Sequence, residues 1–233
     1  MIQKEHFLEQ HDPERKDFQI DRIILFSDAV FAIAITLLII EVKAPEVDHS
    51  HTTTADMLQQ LVVLIPKFSS FIISFFVIAV YWRSHHRIFG FVNNYSERLI
   101  WINILFLFTI VLMPFSSAYY SENVGYNVPF IFYNINIIFT GIANYWMMRY
   151  VFNPKNSLVK HQPSPMYSHL FKSRAVAIPI YFFCAILLTP LPHFTSPIIY
   201  MGLWPMFYFI KKYNTRKYGN TAPVKQPHTK HKH

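Results

Sequence analysis

From 20 to 42 the chain carries a nearly unbroken apolar run, in which Ala29 to Ile40 contains no charge and a single hydroxyl, Thr36. No Gly or Pro interrupts it. At about 1.5 Å per residue the run is long enough to cross a hydrocarbon core of roughly 30 Å, so it predicts a transmembrane helix. Apolar runs recur at 57–82, 99–114, 129–150, 175–189 and 194–210, giving six expected spans. Pro66 lies near the start of the second, where a proline is tolerated, and the third is expected to stop at Met113-Pro114-Phe115. The fourth carries Asn134, Asn136, Thr140, Gly141 and Asn144, residues that let membrane helices approach and hydrogen-bond. The last two are short and hold Pro179, Pro197 and Pro205, so they are expected to be kinked. Polar loops separate the runs at 43–56, 116–128 and 149–174.

Composition agrees with a polytopic, all-α membrane protein: 52% of residues are hydrophobic and only 15% charged. The net charge of +8 does not point to nucleic acid, because the cations alternate with apolar spans and form no single basic face. Nineteen of the 21 Lys and Arg fall in the N-terminal arm, the second-to-third and fourth-to-fifth loops and the C-terminal tail; only Lys43 and Lys67 fall on the other side. Excess cations mark the cytoplasmic side, so both termini are expected there. The domain layout is an N-terminal arm at 1–19, a six-helix unit at 20–212 and a disordered basic tail at 213–233. The polar arm is not expected to act as a cleavable signal peptide.

Several kinds of chemistry lack support. The single Cys184 cannot form an intrachain disulfide and is expected to be a small buried apolar residue. His49 and His51 on a loop, and His228, His231 and His233 in the tail, read as solvated positions, so no metal site or cofactor is expected. There is no Gly-rich phosphate loop, zinc-protease helix or nucleophile elbow, so an enzyme is not expected. Gly90, Gly125, Gly141, Gly202 and Gly219 never cluster, which excludes a Gly-rich carbonyl filter.

The first helix concentrates the remaining chemistry. An ionised Asp28 costs several kcal/mol in such a helix unless it faces a partner or water. Arg22 is six residues away, a spacing at which the two cannot pair along the helix, so each needs a partner elsewhere. At about 100° per residue, Ala29, Ile33, Leu37 and Ile40 fall in one stripe with Thr36 on its flank, and Asp28 falls well away from Ile33. By itself such a stripe is ordinary packing or lipid contact. At the end of the second span, Tyr81-Trp82-Arg83-Ser84-His85-His86-Arg87 places two aromatics at interface depth with two histidines a turn further on.

Arg22-x-x-x-Phe26-Ser27-Asp28, followed by Ala-Val-Phe-Ala-Ile-Ala-Ile-Thr-Leu-Leu, resembles the signature of the transmembrane protein 175 family of potassium channels. Trp82-x-x-His85, Asn103 and the pair Pro114-Phe115 add to the likeness; the second half matches mainly in span count. The resemblance is to the prokaryotic branch with one six-helix repeat per chain, and it implies a homotetramer in the cell membrane. It further implies that four first helices line a K⁺-permeable pore, narrowed by the residue five after the motif's Asp, here Ile33. A ring of apolar side chains there can stop ions by dewetting, and Thr36 supplies a hydroxyl ring nearby. Arg22, Ser27 and Asp28 are expected to meet His85 or His86 and Asn103 in a network that fixes this helix. Two other readings remain: a proton-coupled transporter using Asp28 and His85, and a membrane scaffold or intramembrane enzyme.

Overall fold

From 16 to 40, where Gly and Pro are absent, the chain stays helical for seven turns, and where proline occurs in the longer helices it falls mostly in a first turn. The computed structural model describes residues 16–45, 53–189 and 197–218. Its helices are α1 (Lys16–Ile40), α2 (Thr54–Val63), α3 (Ile65–Phe89), α4 (Glu97–Val111), α5 (Met113–Glu122), α6 (Asn127–Val151), α7 (Pro165–Leu187) and α8 (Leu203–Tyr218). Pro66, Pro114 and Pro165 each sit at the start of a helix, where a missing N–H removes no intrahelical bond. Among the described residues the only β pairing is an isolated bridge between Val92 and Val159.

The element boundaries differ from the sequence expectation in instructive ways. The second span divides at Leu64 into α2 and α3, and α3 runs on to Phe89. The third does not stop at Pro114. Leu112 keeps helical dihedrals, so α4 and α5 follow one another from Glu97 to Glu122, and much of the expected polar loop is helix. α7 begins ten residues before the expected 175 because Ser164 caps it, its hydroxyl accepting from the Tyr167 amide. α1 reaches back to Lys16, into the expected arm, and α8 reaches Tyr218, into the expected tail. His49, His51, His228, His231 and His233 lie outside the described residues.

Among the described residues four helical segments are long and apolar enough to cross a membrane: Asp17–Ile40, Ile65–Phe89, Glu97–Glu122 and Pro165–Leu187. They correspond to the first, second, third and fifth expected spans. α6 has 25 residues, but its buried side carries Asn134, Asn136, Thr140, Gly141 and Asn144, which lowers its average hydropathy. α8 has 16 residues and turns polar from Lys211 onward.

α6 is the central post, packed on α3, α4, α5 and α7; α1 packs on α3, α4 and α5, and α8 on α7. Gly141 permits the α6–α7 contact, since a Cβ there would lie 2.6 Å from Pro179 Cγ. Pro179 itself sits inside α7 without ending it. Between α5 and α6 the chain turns at Gly125, whose φ of +99° suits glycine. α2 packs chiefly on α3 and buries no residue. Its first turn is closed by a capping box in which the Thr53 hydroxyl and amide donate to Asp56, holding that carboxyl below its ordinary value.

The two ends of the bundle are distinguishable. At one, the Asn93 and Asn94 amides donate to Leu158 O (2.9 and 3.2 Å), tying the α3–α4 loop to the α6–α7 loop. At the other, Lys67 at the start of α3 pairs with Glu122 at the end of α5 (3.3 Å). The two cation-rich loops therefore share one end, and Lys67 lies at the opposite one.

Candidate functional site

α1 has two faces of opposite character. Ile20, Ser27, Phe31, Ala34 and Leu38 recur at intervals of three, four and seven and are all buried against α3, α4 and α5. About half a turn away, Arg22, Ala29, Ile33, Thr36 and Ile40 form an exposed face, with Phe26 and Leu37 on its flank. Ile33 is 59% exposed and Ile40 65%, in a helix whose other side is sealed. The Thr36 hydroxyl donates back to the Ile33 carbonyl (2.9 Å), with the Ala32 carbonyl at 3.1 Å, so its oxygen stays available as an acceptor.

A buried polar chain fixes the sealed side. His85 Nε2 lies 3.0 Å from Asn103 Oδ1, Asn103 Nδ2 donates to Ser27 Oγ (2.9 Å), and the Ser27 hydroxyl donates to the Ile23 carbonyl (2.8 Å). Because the Asn103 oxygen can only accept, the His85 proton in this contact is on Nε2. All three side chains are almost wholly excluded from solvent. Phe89 stacks on the imidazole with centroids 4.3 Å apart; Phe31 and Phe106 stand at 5.7 and 6.0 Å. Thus α1, α3 and α4 are joined by one hydrogen-bonded chain inside an aromatic box.

The remaining residues of the expected network lie elsewhere. Asp28 Oδ1 accepts from Trp82 Nε1 (2.9 Å), and His86 stacks on the outer side of Trp82 at 5.6 Å. Of the two histidines, His85 turns inward and His86 is exposed. Arg22 is exposed and makes no ion pair among the described residues, so it does not join Asp28. The reason is angular: Arg22 points to the exposed face of α1, whereas Asp28 lies at the boundary facing α3. Asp28 and His85 share no hydrogen bond.

A second buried polar cluster takes in Asn136, which the sequence singled out, but its serines on α3 and α5 were not foreseen. Ser74 Oγ donates to Ser117 Oγ (2.7 Å) and also contacts Tyr133 Oη (2.7 Å), while Ser70 Oγ lies 3.0 Å from Ser117 Oγ. Asn136 Nδ2 donates to Ser116 Oγ (3.1 Å), and the Tyr81 hydroxyl to the Ile137 carbonyl (3.1 Å). The available signal was Ser70 and Ser74 at a four-residue interval, one turn apart on one face of α3. These bonds hold α3, α5 and α6 together as the frame that α1 leans on.

Cys184 is exposed, not buried. It sits about 200° round α7 from the buried Phe182, on the side facing away from α6. Among the described residues no group of three or more His, Cys, Asp or Glu is placed to hold a metal ion.

Residues 22–114 match the family described as the endosomal/lysosomal potassium channel TMEM175. Over 101 residues the chain is 41% identical to a potassium channel of Chamaesiphon minutus, covering 43% of this chain and 49% of that protein. Over 122 residues it is 31% identical to a potassium channel of a Chryseobacterium species, covering 52% and 59%. The chain thus spans about half the length of the curated relatives it matches. Its fold is similar to the crystal structure of a lysosomal potassium-selective channel TMEM175 homologue from Chamaesiphon minutus, with a TM-score of 0.65 and 25% identity over 84% of this chain and 98% of that one.

Proposed function

We propose that this chain, which belongs to the TMEM175 family through residues 22–114, is a potassium-permeable cation channel whose pore is lined by α1 in a homotetramer. The observation that carries the reading is the division of α1 into a sealed face and an exposed one. In a single chain, Ala29, Ile33, Thr36, Leu37 and Ile40 have no partner helix over them, and a channel needs a helix face that its own chain leaves uncovered. One such face encloses nothing, so closed symmetry supplies the missing walls. The relatives named as potassium channels, and the matching structure, support this assignment of activity.

In this reading Ile33 forms the narrowest ring and excludes ions by dewetting, Leu37 and Ile40 continue the apolar wall, and Thr36 offers an oxygen to a partly dehydrated ion. The Ser27–Asn103–His85 chain and the Asp28–Trp82 bond hold α1 at a fixed rotation, so that the apolar side chains face the axis. Six crossings, with α6 and α8 as the fourth and sixth, put the cation-rich loops and both termini on the cytoplasmic side of the cell membrane. A proton-coupled transporter relying on Asp28 and His85 has less support, because each is engaged by a different partner.

The test is purified full-length protein in liposomes. An outward K⁺ gradient should drive a current that reverses at the K⁺ equilibrium potential with equal pH on both sides. Strict dependence of K⁺ movement on a pH difference, or no K⁺ movement at all, overturns the channel reading.

A further inference from the structure

Arg83 and Arg87 are four residues apart on α3 and therefore share a face of that helix. The Arg87 guanidinium stands 5.7 Å from the centre of the Phe171 ring on α7, and Arg174, one turn further along α7, stands 5.6 Å from the Phe207 ring on α8. Phe171 and Arg174 are three residues apart on α7 and share a face, so the Arg87 and Arg174 heads lie on the same side of that helix. Three guanidiniums are thus gathered between α3 and the packed pair α7 and α8, towards the end of the bundle that carries the cation-rich loops.

Among the described residues no carboxylate pairs with them. Among the described residues the ion pair is Lys67–Glu122, at the opposite end of the bundle. Arg174 Nε is shut off from solvent and has no hydrogen-bond partner. The ring contacts hold the charged heads in place, but they leave the in-plane N–H groups unspent. Like charges held together at low dielectric are costly, and an anion with several acceptor oxygens relieves that cost while taking up the free donors. Phosphate has the size and acceptor geometry for a forked guanidinium. Arg174 lies within an apolar membrane-length helix and directly precedes its apolar run, which begins at Ala175.

We propose that Arg83, Arg87 and Arg174 form a binding site for a phosphate group, supplied by an anionic phospholipid headgroup or by soluble phosphate. Occupancy ties α3 to α7 and α8 on the side of α3 away from the His85 contact with α4. The proposal concerns binding alone and stands whether or not the chain conducts.

Full-length protein in neutral detergent, titrated in turn with dioleoylphosphatidylglycerol, dioleoylphosphatidylcholine and inorganic phosphate and read by native mass spectrometry, tests it. Saturable binding of phosphatidylglycerol in preference to phosphatidylcholine assigns a lipid headgroup; binding of inorganic phosphate with no preference between the lipids assigns a soluble ion. Arg83→Gln should weaken the anion about fivefold, the worth of one cation at a membrane surface. Arg174→Gln should abolish saturable binding, and Arg174→Lys should restore only part of it, because an ammonium lacks the fork. Arg216→Gln, an exposed change on α8, should have no effect. Arg83 is also exposed, so its variant decides the matter even if Arg174→Gln does not fold. Equal binding of both lipids without any phosphate binding, or equal losses from Arg83→Gln and Arg216→Gln, overturns the site.

Discussion

Asn103 is the hinge of the buried polar chain because it is the one member that both accepts and donates between helices. Asn103→Leu fills a similar volume but leaves the His85 N–H without an acceptor in an aromatic box. A buried donor left unsatisfied costs about 1–3 kcal/mol, so the thermal midpoint of the purified protein should fall clearly. Ser27→Ala should cost less, since it removes only the acceptor of the Asn103 amide, one of the two interhelical bonds that Asn103→Leu breaks together. Equal midpoints for Asn103→Leu and wild type would contradict this account of the chain. Asp28 calls for a smaller number. Had Arg22 been its partner in a buried ion pair, Asp28→Asn would cost about 3–5 kcal/mol. With Trp82 as donor the asparagine oxygen can still accept, and the loss should be nearer the difference between a charged and a neutral bond, about 1 kcal/mol. Trp82→Phe removes the donor and should cost at least as much; a loss of several kcal/mol in Asp28→Asn alone would return Arg22 to the network. The motif residues were legible as a group because Ser27, Asp28, His85 and Asn103 are polar side chains in apolar surroundings. Their pairing was not, because it depends on how α3 rotates against α1, and residue spacing along either helix is silent on that.

At the scale of elements, α1 was the most readable part of the chain. It contains no Gly or Pro, and its three-four spacing of Ser27, Phe31, Ala34 and Leu38 defines the packed side while Ala29, Ile33 and Ile40 define the other. The prolines misled. Pro114 reads as a stop, yet Leu112 holds helical dihedrals and Pro114 falls in the first turn of α5, where it breaks no hydrogen bond. Pro179 is harder to place from sequence, because its tolerance inside α7 depends on the space left by Gly141 on another helix. That pairing makes a prediction. Gly141→Val would drive a branched side chain into Pro179 and the Tyr81 hydroxyl, and overpacking of this kind costs about 1–3 kcal/mol. Expression of folded protein and its thermal midpoint should both drop. If Gly141→Val is neutral, α6 and α7 do not approach there. α6 itself was recognised by its amides and Gly141, and the same amides weigh against it among the segments apolar enough to cross a membrane.

For the whole molecule the issue is what covers the exposed side of α1. The chain shields the opposite side with α3, α4 and α5, but among the described residues nothing lies over Ile33, Leu37 and Ile40, so the account requires other copies of α1 there. Cross-linking in native membranes should produce dimers, trimers and tetramers and then stop. Conduction by a monomer would refute a shared pore. The most direct measurement compares ion flux through Ile33→Asn and Ile35→Asn channels in liposomes. Ile33 is exposed and Ile35 packs partly against the core, about 200° away round the helix. If Ile33 is the constriction, an amide in its place gives water and ions a polar partner, so Ile33→Asn should raise basal flux and reduce K⁺ over Na⁺ discrimination, with Leu37→Asn giving a smaller change. Ile35→Asn should lower yield or stability and leave ion preference as in wild type. Unchanged flux and selectivity in Ile33→Asn, together with altered selectivity in Ile35→Asn, would show that α1 presents its other side to the ions.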